Sequence, residues 1–236
     1  YQDVFRFIRK ELLHNTKRIV IGHYGYNYLV KKTELTDLVL PKIPFYQIIT
    51  GNYEHDVRKI HHDLKKKFGT KIRSEEFYPF FEFLGRRTEF YYEKQVILKV
   101  YHHNNRCIVY QKSEKKNTFF GRYSLILMHL LMDYLYFHVN KLNIQKNNYA
   151  ILLNNLIDAR NNYLKTHNMH PLDESPFQEF TIDCFGTTIS PLRKSRLDLT
   201  ERVKKGKKAK FAYQPTGKPA KPPNKTKASV AVAATK

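Results

Sequence analysis

The sequence has no tryptophan, 2 cysteines and 9 glycines in 236 residues, and its 21 acidic residues stand against 42 lysines and arginines. Each shortage excludes something. The two cysteines, Cys107 and Cys184, are too few for a disulfide framework and suit a reducing compartment better. Neither has a CxxC partner, so no zinc site is implied. No apolar run reaches the ~20 residues of a membrane-spanning helix. The longest candidate, Leu125–Val139, is interrupted by His129, Asp133 and His138, and no membrane partner is expected. GxSxG, GxGxxG and P-loop patterns are missing, as is a Cys-His nucleophile context. The chain opens on Tyr1 rather than Met, as a fragment of a longer protein would.

What is present is positive charge. The formal net charge is +21 and the pI near 9.8. Such an excess repels itself unless a polyanion is near, and nucleic acid is the usual polyanion. A soluble basic protein with no nucleic-acid role is the plainer alternative. Aromatics are abundant, with 17 Tyr and 16 Phe. Many belong in a core or on half-buried strands, where Tyr can pack its ring and still bond through its hydroxyl.

Spacing predicts a helix over Val4–Leu13, where Val4, Phe5, Ile8 and Leu12 share a face. Arg18–Gly22 reads as a short buried strand, Tyr26–Lys32 as the opening of a helix and Phe45–Thr50 as a second strand. Gly51–Asn52 is a turn. Glu54–Phe68 is an amphipathic helix with Val57, Ile60, Leu64 and Phe68 inward and Gly69 as its C-cap. Phe77–Leu84, Arg87–His102 (with a break) and Cys107–Lys112 read as strands, with Asn104–Asn105 as a hairpin turn. Tyr123–Val139 and Tyr149–Tyr163 are helices, and Phe177–Cys184 is a last strand. After Glu201 no acidic residue occurs, and from Gln214 onward the chain should be disordered. The expected fold is α+β, a mixed or antiparallel sheet with packed helices and a basic disordered C-terminal tail. Its expected parts are a domain over 1–200, a basic aromatic segment over 201–213 and a Lys/Pro/Ala-rich tail over 214–236.

Gly22-His23-Tyr24-Gly25 lies where backbone amides at a helix start could approach phosphate; a tight turn is the plainer reading. Nucleotidyl transfer needs acidic side chains on adjoining strands to hold two divalent ions. The strand Phe45-Tyr46-Gln47-Ile48-Ile49 has none, and Val96–Tyr101 offers Lys99 where an acid could stand. Asp37 and Glu54 lie outside these strands. The adjacent pairs His61-His62 and His102-His103 diverge on a helix or a strand, so they make poor metal ligands. No catalytic or metal residue is therefore expected. Tyr24, Tyr26 and Tyr28 are read as core. The candidate RNA-binding residues are Arg193, Lys194, Arg196, Arg202, Lys204, Lys205, Lys207, Lys208, Lys210, Phe211 and Tyr213, cations beside aromatic rings that suit backbone tracking with base stacking. A solvated tail is the plainer alternative.

RIVIGHYGYNYLVKK, then FYQIITGN, then the Glu54–Phe68 helix resemble the start of a polymerase-β-type nucleotidyltransferase fold. More narrowly, they resemble the second, degenerate nucleotidyltransferase-like unit of poly(A) polymerase catalytic subunits of large cytoplasmic DNA viruses. FTIDCFGTTISPLRKSRLDL and KKGKKAKFAYQP are similar to the C-terminal segment of those chains, so the resemblance covers about residues 1–213. It implies that the Asp-x-Asp of an active copy would fall near Phe45–Gln47, so no catalytic residue carries over. It also implies an upstream catalytic domain that uses ATP and Mg or Mn, with no cofactor in this fragment, and an RNA partner in mRNA polyadenylation. The implied roles are completing an RNA channel, supporting the catalytic half and forming a homodimer. The implied location is the host cytoplasm (viral factory) or the virion. A stand-alone basic nucleic-acid-binding or packaging protein is the alternative from composition.

Overall fold

Val4, Ile8 and Leu12 share one buried face, as their spacing predicts. The helix they lie on, α1 (Gln2–Phe7), runs on as a π-helical stretch, Ile8–Leu13. The computed structural model describes residues 1–14, 16–33, 40–78, 86–103, 107–113, 117–178, 184–185, 200–201 and 204–206. The remaining elements are β1 (Ile19–Ile21), α2 (Gly22–Lys31), β2 (Tyr46–Thr50), α3 (Tyr53–Phe68), β3 (Ile72–Phe77), β4 (Arg87–Tyr92), β5 (Gln95–His102), β6 (Ile108–Ser113), β7 (Thr118–Gly121), α4 (Tyr123–Val139), α5 (Asn143–Thr166) and β8 (Cys184–Phe185). The chain divides into two units, Tyr1–Ser190 and Pro191–Lys236. All the elements above lie in the first.

Among the described residues the strands form one mixed sheet in the order β3-β4-β5-β2-β1-β7-β6-β8. The pairs β1–β7 and β2–β5 are parallel, and the others are antiparallel. Side chains alternate between the two faces. Tyr46, Ile48, Leu98 and Val100 point to the side where α1 and α3 supply Ile8, Ile60 and Leu64. Ile19, Ile21, Ile49 and Tyr101 point the other way, against Leu125 of α4. Helix α2 serves both layers. Tyr24 and Tyr28 pack on Phe120, the latter stacked with centroids 3.9 Å apart, while Tyr26, Leu29 and Val30 meet α4 and α5. Each large apolar side chain removed from water in this way contributes about 1.5–3 kcal/mol.

A buried ion pair ties the start of the sheet to α3. Arg18 donates to the Leu12 carbonyl at 2.8 Å and to Asp56 Oδ1 at 2.8 Å. Thr50 donates to the other Asp56 oxygen. Burial alone would raise the Asp56 pKa, but these hydrogen bonds overcome it and hold the carboxyl below its ordinary value.

The predicted order of elements holds, with several boundary corrections. Helix α2 begins at Gly22, four residues before the expected start at Tyr26, so GHYG is its first turn and not a separate turn. Strand β3 precedes the expected Phe77–Leu84 strand and overlaps it only at Phe77; residues 79–85 lie outside the described ones. The long strand breaks at Glu93, whose φ of 55° turns the chain between β4 and β5. Strand β7 was not expected: it is short and follows a charged run, and parallel pairing with β1 creates it. Asn104–Asn105 lies outside the described residues, and β5 and β6 are not sheet neighbours, so they form no hairpin. Phe177 is not in a strand but fully buried on the helical side; the last strand is Cys184–Phe185. Cys107, just before β6, is disulfide-bonded, which corrects the expectation of reduced cysteines. Strand β8 sets Cys184 opposite Val109, so residues far apart in sequence become neighbours.

Candidate functional site

The turn from β1 into α2 places Gly22 directly beside the neighbouring strand β2. Its φ of +61° is the left-handed region that glycine tolerates best. A Cβ built on Gly22 would lie 1.8 Å from Gln47 Oε1. The space that a side chain at this turn would need is thus taken by the Gln47 carboxamide. Gly25, one helical turn later, allows α4 to approach: its Cβ would lie 2.9 Å from Ile126 Cδ1.

Gln47 is 1% exposed and pairs in register with Ile21 on one side and Lys99 on the other. The resemblance seen in the sequence leads to the expectation of acids at these positions in an active copy; here they hold an amide and an ammonium. The Gln47 Nε2 donates to Tyr101 Oη at 3.2 Å and to Asp133 Oδ2 at 3.1 Å. Its Oε1 has no hydrogen-bond partner among the described residues. The Tyr149 hydroxyl approaches the same carboxyl of Asp133 but lacks the geometry of a hydrogen bond. Burial raises the Asp133 pKa, with Lys99 and Gln47 acting against it. Burial and the Asp133 charge likewise push the hydroxyls of Tyr101 and Tyr149 upward.

Two histidines complete the enclosure. His23 stands edge-on to Tyr149 at 5.1 Å, and burial lowers its pKa to about 4. His129 stands against Tyr101 at 5.1 Å, and burial lowers it to about 3. Both are therefore neutral at physiological pH.

On the same sheet face, β3, β4 and β5 carry a ladder of charges. Lys99 lies 3.5 Å from Glu89 and 4.5 Å above the Phe45 ring. Arg87 lies 3.2 Å from Glu89, and Arg73 lies 2.8 Å from Glu75. The Tyr91 hydroxyl sits 2.9 Å from Glu89 and 3.2 Å from Glu75. Burial first, then these two carboxylates, raise its pKa. The acids here are consumed by internal cations. Among the described residues no group of three His, Cys, Asp or Glu could hold a metal ion.

The sequence candidates fall as follows. Gln47 and Lys99, singled out for the acids they are not, lie side by side at the centre of this site. Phe45 covers Lys99. His61 contacts Ser74 at 3.3 Å, and His102 and His103 are 6.4 Å apart, so neither histidine pair converges. Asp37 lies outside the described residues, and Glu54 lies on α3 facing Arg58. Of the basic segment, Lys204 and Lys205 are exposed beside a short helical turn, with Lys205 Nζ 3.8 Å from Glu201. Arg193, Lys194, Arg196, Arg202, Lys207, Lys208, Lys210, Phe211 and Tyr213 lie outside the described residues. Sequence reasoning missed Asp133, Tyr101 and Tyr149. Asp133 and His129 did leave a signal, as ionisable residues four apart in an otherwise apolar helix.

Residues 1–231 match the family model described as "APMV, Putative poly(A) polymerase, catalytic subunit, C-terminal". A curated protein of Acanthamoeba polyphaga mimivirus, "Putative poly(A) polymerase catalytic subunit", is 32% identical over 189 residues, covering 75% of this chain and 32% of that protein. The crystal structure of the Megavirus polyadenylate synthase superposes with a TM-score of 0.77 at 28% identity, covering 87% of this chain and 43% of that one. The chain thus spans about a third of the curated relative and under half of the solved one. It belongs to the family of C-terminal regions of viral poly(A) polymerase catalytic subunits.

Proposed function

We propose that this member of the family is the non-catalytic C-terminal half of a viral poly(A) polymerase, contributing RNA binding and scaffolding to polyadenylation of mRNA 3′ ends. One observation carries the reading. The positions of the missing acids are occupied by Gln47 and Lys99, and Gln47 is locked against Gly22 by Asp133 and Tyr101. A pocket closed in this way offers no place for two metal ions and a triphosphate. On this reading ATP and Mg or Mn belong to an upstream catalytic domain, and this half contributes none of their ligands.

The scaffolding role is supported by α4. Met128, Leu131, Leu135 and Val139 fall on one stripe of that helix and stay between 40% and 76% exposed. An unpartnered apolar stripe marks an interaction surface. We assign it to the upstream catalytic domain, because the relatives extend well beyond the length matched here; pairing with a second copy is the other outcome. No helix among the described residues is long and apolar enough to cross a membrane. The proposed location is the host cytoplasm, in viral factories, or the virion; the disulfide at Cys107 sits more easily with the virion.

RNA contact is tested by binding of the chain to single-stranded RNA across a salt series, beside a variant ending at Thr200. Binding that falls steeply with salt supports the reading, and weakening on truncation assigns contact to the basic segment. Negligible binding by both forms at low salt would remove RNA from the proposed function and leave docking and dimerisation.

A further inference from the structure

Outside both the closed pocket and the basic tail, the folded unit carries a second concentration of positive charge. Helix α3 turns Tyr53, Ile60 and Leu64 into the core. The same 3.6-residue period turns His55, Arg58, Lys59, His62, Lys65 and Lys66 outward, and all six are exposed. Between Val57 and Lys71 the chain has six lysines and arginines and one acid, Asp63. Two of the six are committed elsewhere: Lys67 covers the Phe7 ring at 4.5 Å, and Lys71 pairs with Glu93 at 2.9 Å. Among the described residues Arg58 meets only the exposed Glu54, at 3.3 Å. Lys59, Lys65 and Lys66 have no carboxylate within ion-pair distance among the described residues.

Arg58 to Lys66 spans about 12 Å along the helix axis. A shallow depression lined by Asn52, Glu54, His55, Arg58, Lys59 and His62 lies at one end of this ridge. Like charges held on one rigid face repel one another, and a polyanion running along the face relieves that repulsion. Lysines in the last turn also complement the helix dipole, but that role does not account for Arg58 and Lys59 near the start.

We propose that the exposed face of α3 is a second RNA-backbone contact, made by the folded domain itself and independent of the basic tail. The proposal rests on the RNA-binding role above and adds a location to it. The ridge recognises phosphates and not bases, since it offers ammonium and guanidinium groups without an exposed aromatic platform on α3.

The test is fluorescence anisotropy with a labelled oligoadenylate across a potassium chloride series. The proteins are the whole chain, the chain ending at Thr200, and both with Arg58→Gln, Lys59→Gln, Lys65→Gln and Lys66→Gln together. Among the described residues the buried core runs from Val4 to Phe177, and truncation at Thr200 removes none of those. The four substituted positions are exposed, and an unchanged thermal midpoint checks that the variant folds. The truncated chain should bind, and its fourfold variant should bind at least tenfold more weakly. Each lost phosphate contact removes about 0.7 from the slope of log affinity against log salt, so the slope should fall by up to about 3. Equal binding by the truncated chain and its fourfold variant would overturn the ridge and leave the RNA role standing. Binding by the whole chain but not by the truncated one would do the same, placing contact in the tail alone. No binding by the whole chain would overturn the RNA role, and the ridge with it.

Discussion

Replacing Gly22 by alanine separates two effects that the closed pocket superimposes. The first is backbone strain: a residue with a Cβ held at a φ of +61° costs roughly 1–2 kcal/mol. The second is collision, because the new methyl would sit 1.8 Å from Gln47 Oε1. Gln47 must then rotate away and withdraw its Nε2 from Asp133 and Tyr101, which are buried. Leaving buried polar groups unsatisfied costs about 1–3 kcal/mol each. The whole loss should be roughly 3–8 kcal/mol, against a typical domain stability of about 5–15 kcal/mol. Gly69 is the control: its φ is +64°, yet nothing lies within 4 Å of a Cβ built there. Gly69→Ala should show backbone strain alone, about 1–3 kcal/mol. Urea unfolding of both variants measures the difference through the midpoint at constant m. In a Gln47→Ala background the clash with the carboxamide disappears and only the position-47 Cβ stays close, at 3.3 Å, so Gly22→Ala should then cost clearly less than in the unaltered chain. If Gly22→Ala costs as much in the Gln47→Ala background as in the otherwise unaltered chain, Gln47 does not seal the turn.

Other expectations follow from the same residues. Gln47→Glu puts a second carboxyl beside Asp133, where two buried charges cannot both persist. Its stability should drop by roughly 1–3 kcal/mol at pH 8 and recover toward pH 5 as the pair shares a proton; equal denaturation midpoints at both pH values would count against the network. His23 is held at about 4 in the fold against 6.5 when unfolded, so the unfolded chain takes up the proton first. As pH drops from 6.5 to 4, His23 should therefore remove about 3 kcal/mol of stability, beside the loss that His129 brings in the same window, and His23→Phe should make that part of a thermal-midpoint profile shallower. On α4, Leu131→Asp with Leu135→Asp should leave the melting of this chain nearly unchanged, since both side chains are already exposed. The pair should abolish association with the upstream catalytic domain in a pull-down; retained association would place docking elsewhere.

Much of the architecture was legible because it rests on local period. The spacing of Ile60 and Leu64 on α3 fixed a helix whose observed bounds differ by one residue from the expected ones. The apolar run of α4 gave both its ends. What stayed hidden was set by tertiary pairing. Strand β7 is short and takes its place only beside β1. The early start of α2 depends on the left-handed conformation of Gly22, and the short glycine pattern there did not reveal it. At the site, sequence could show that Gln47 and Lys99 are not acids. It could not show that Asp133, 86 residues further on, would supply the carboxyl that holds Gln47 in place.

Incorporation of AMP into a labelled oligoadenylate primer, with ATP and Mg or Mn, decides whether this chain is catalytically silent. A longer chain that carries the proposed upstream catalytic domain serves as the positive reaction. This chain alone should extend no primer with either metal, while the longer chain extends it. Metal-dependent extension by this chain alone, surviving repurification, would mean that an acid-bearing site exists beyond the pocket that Gln47 closes.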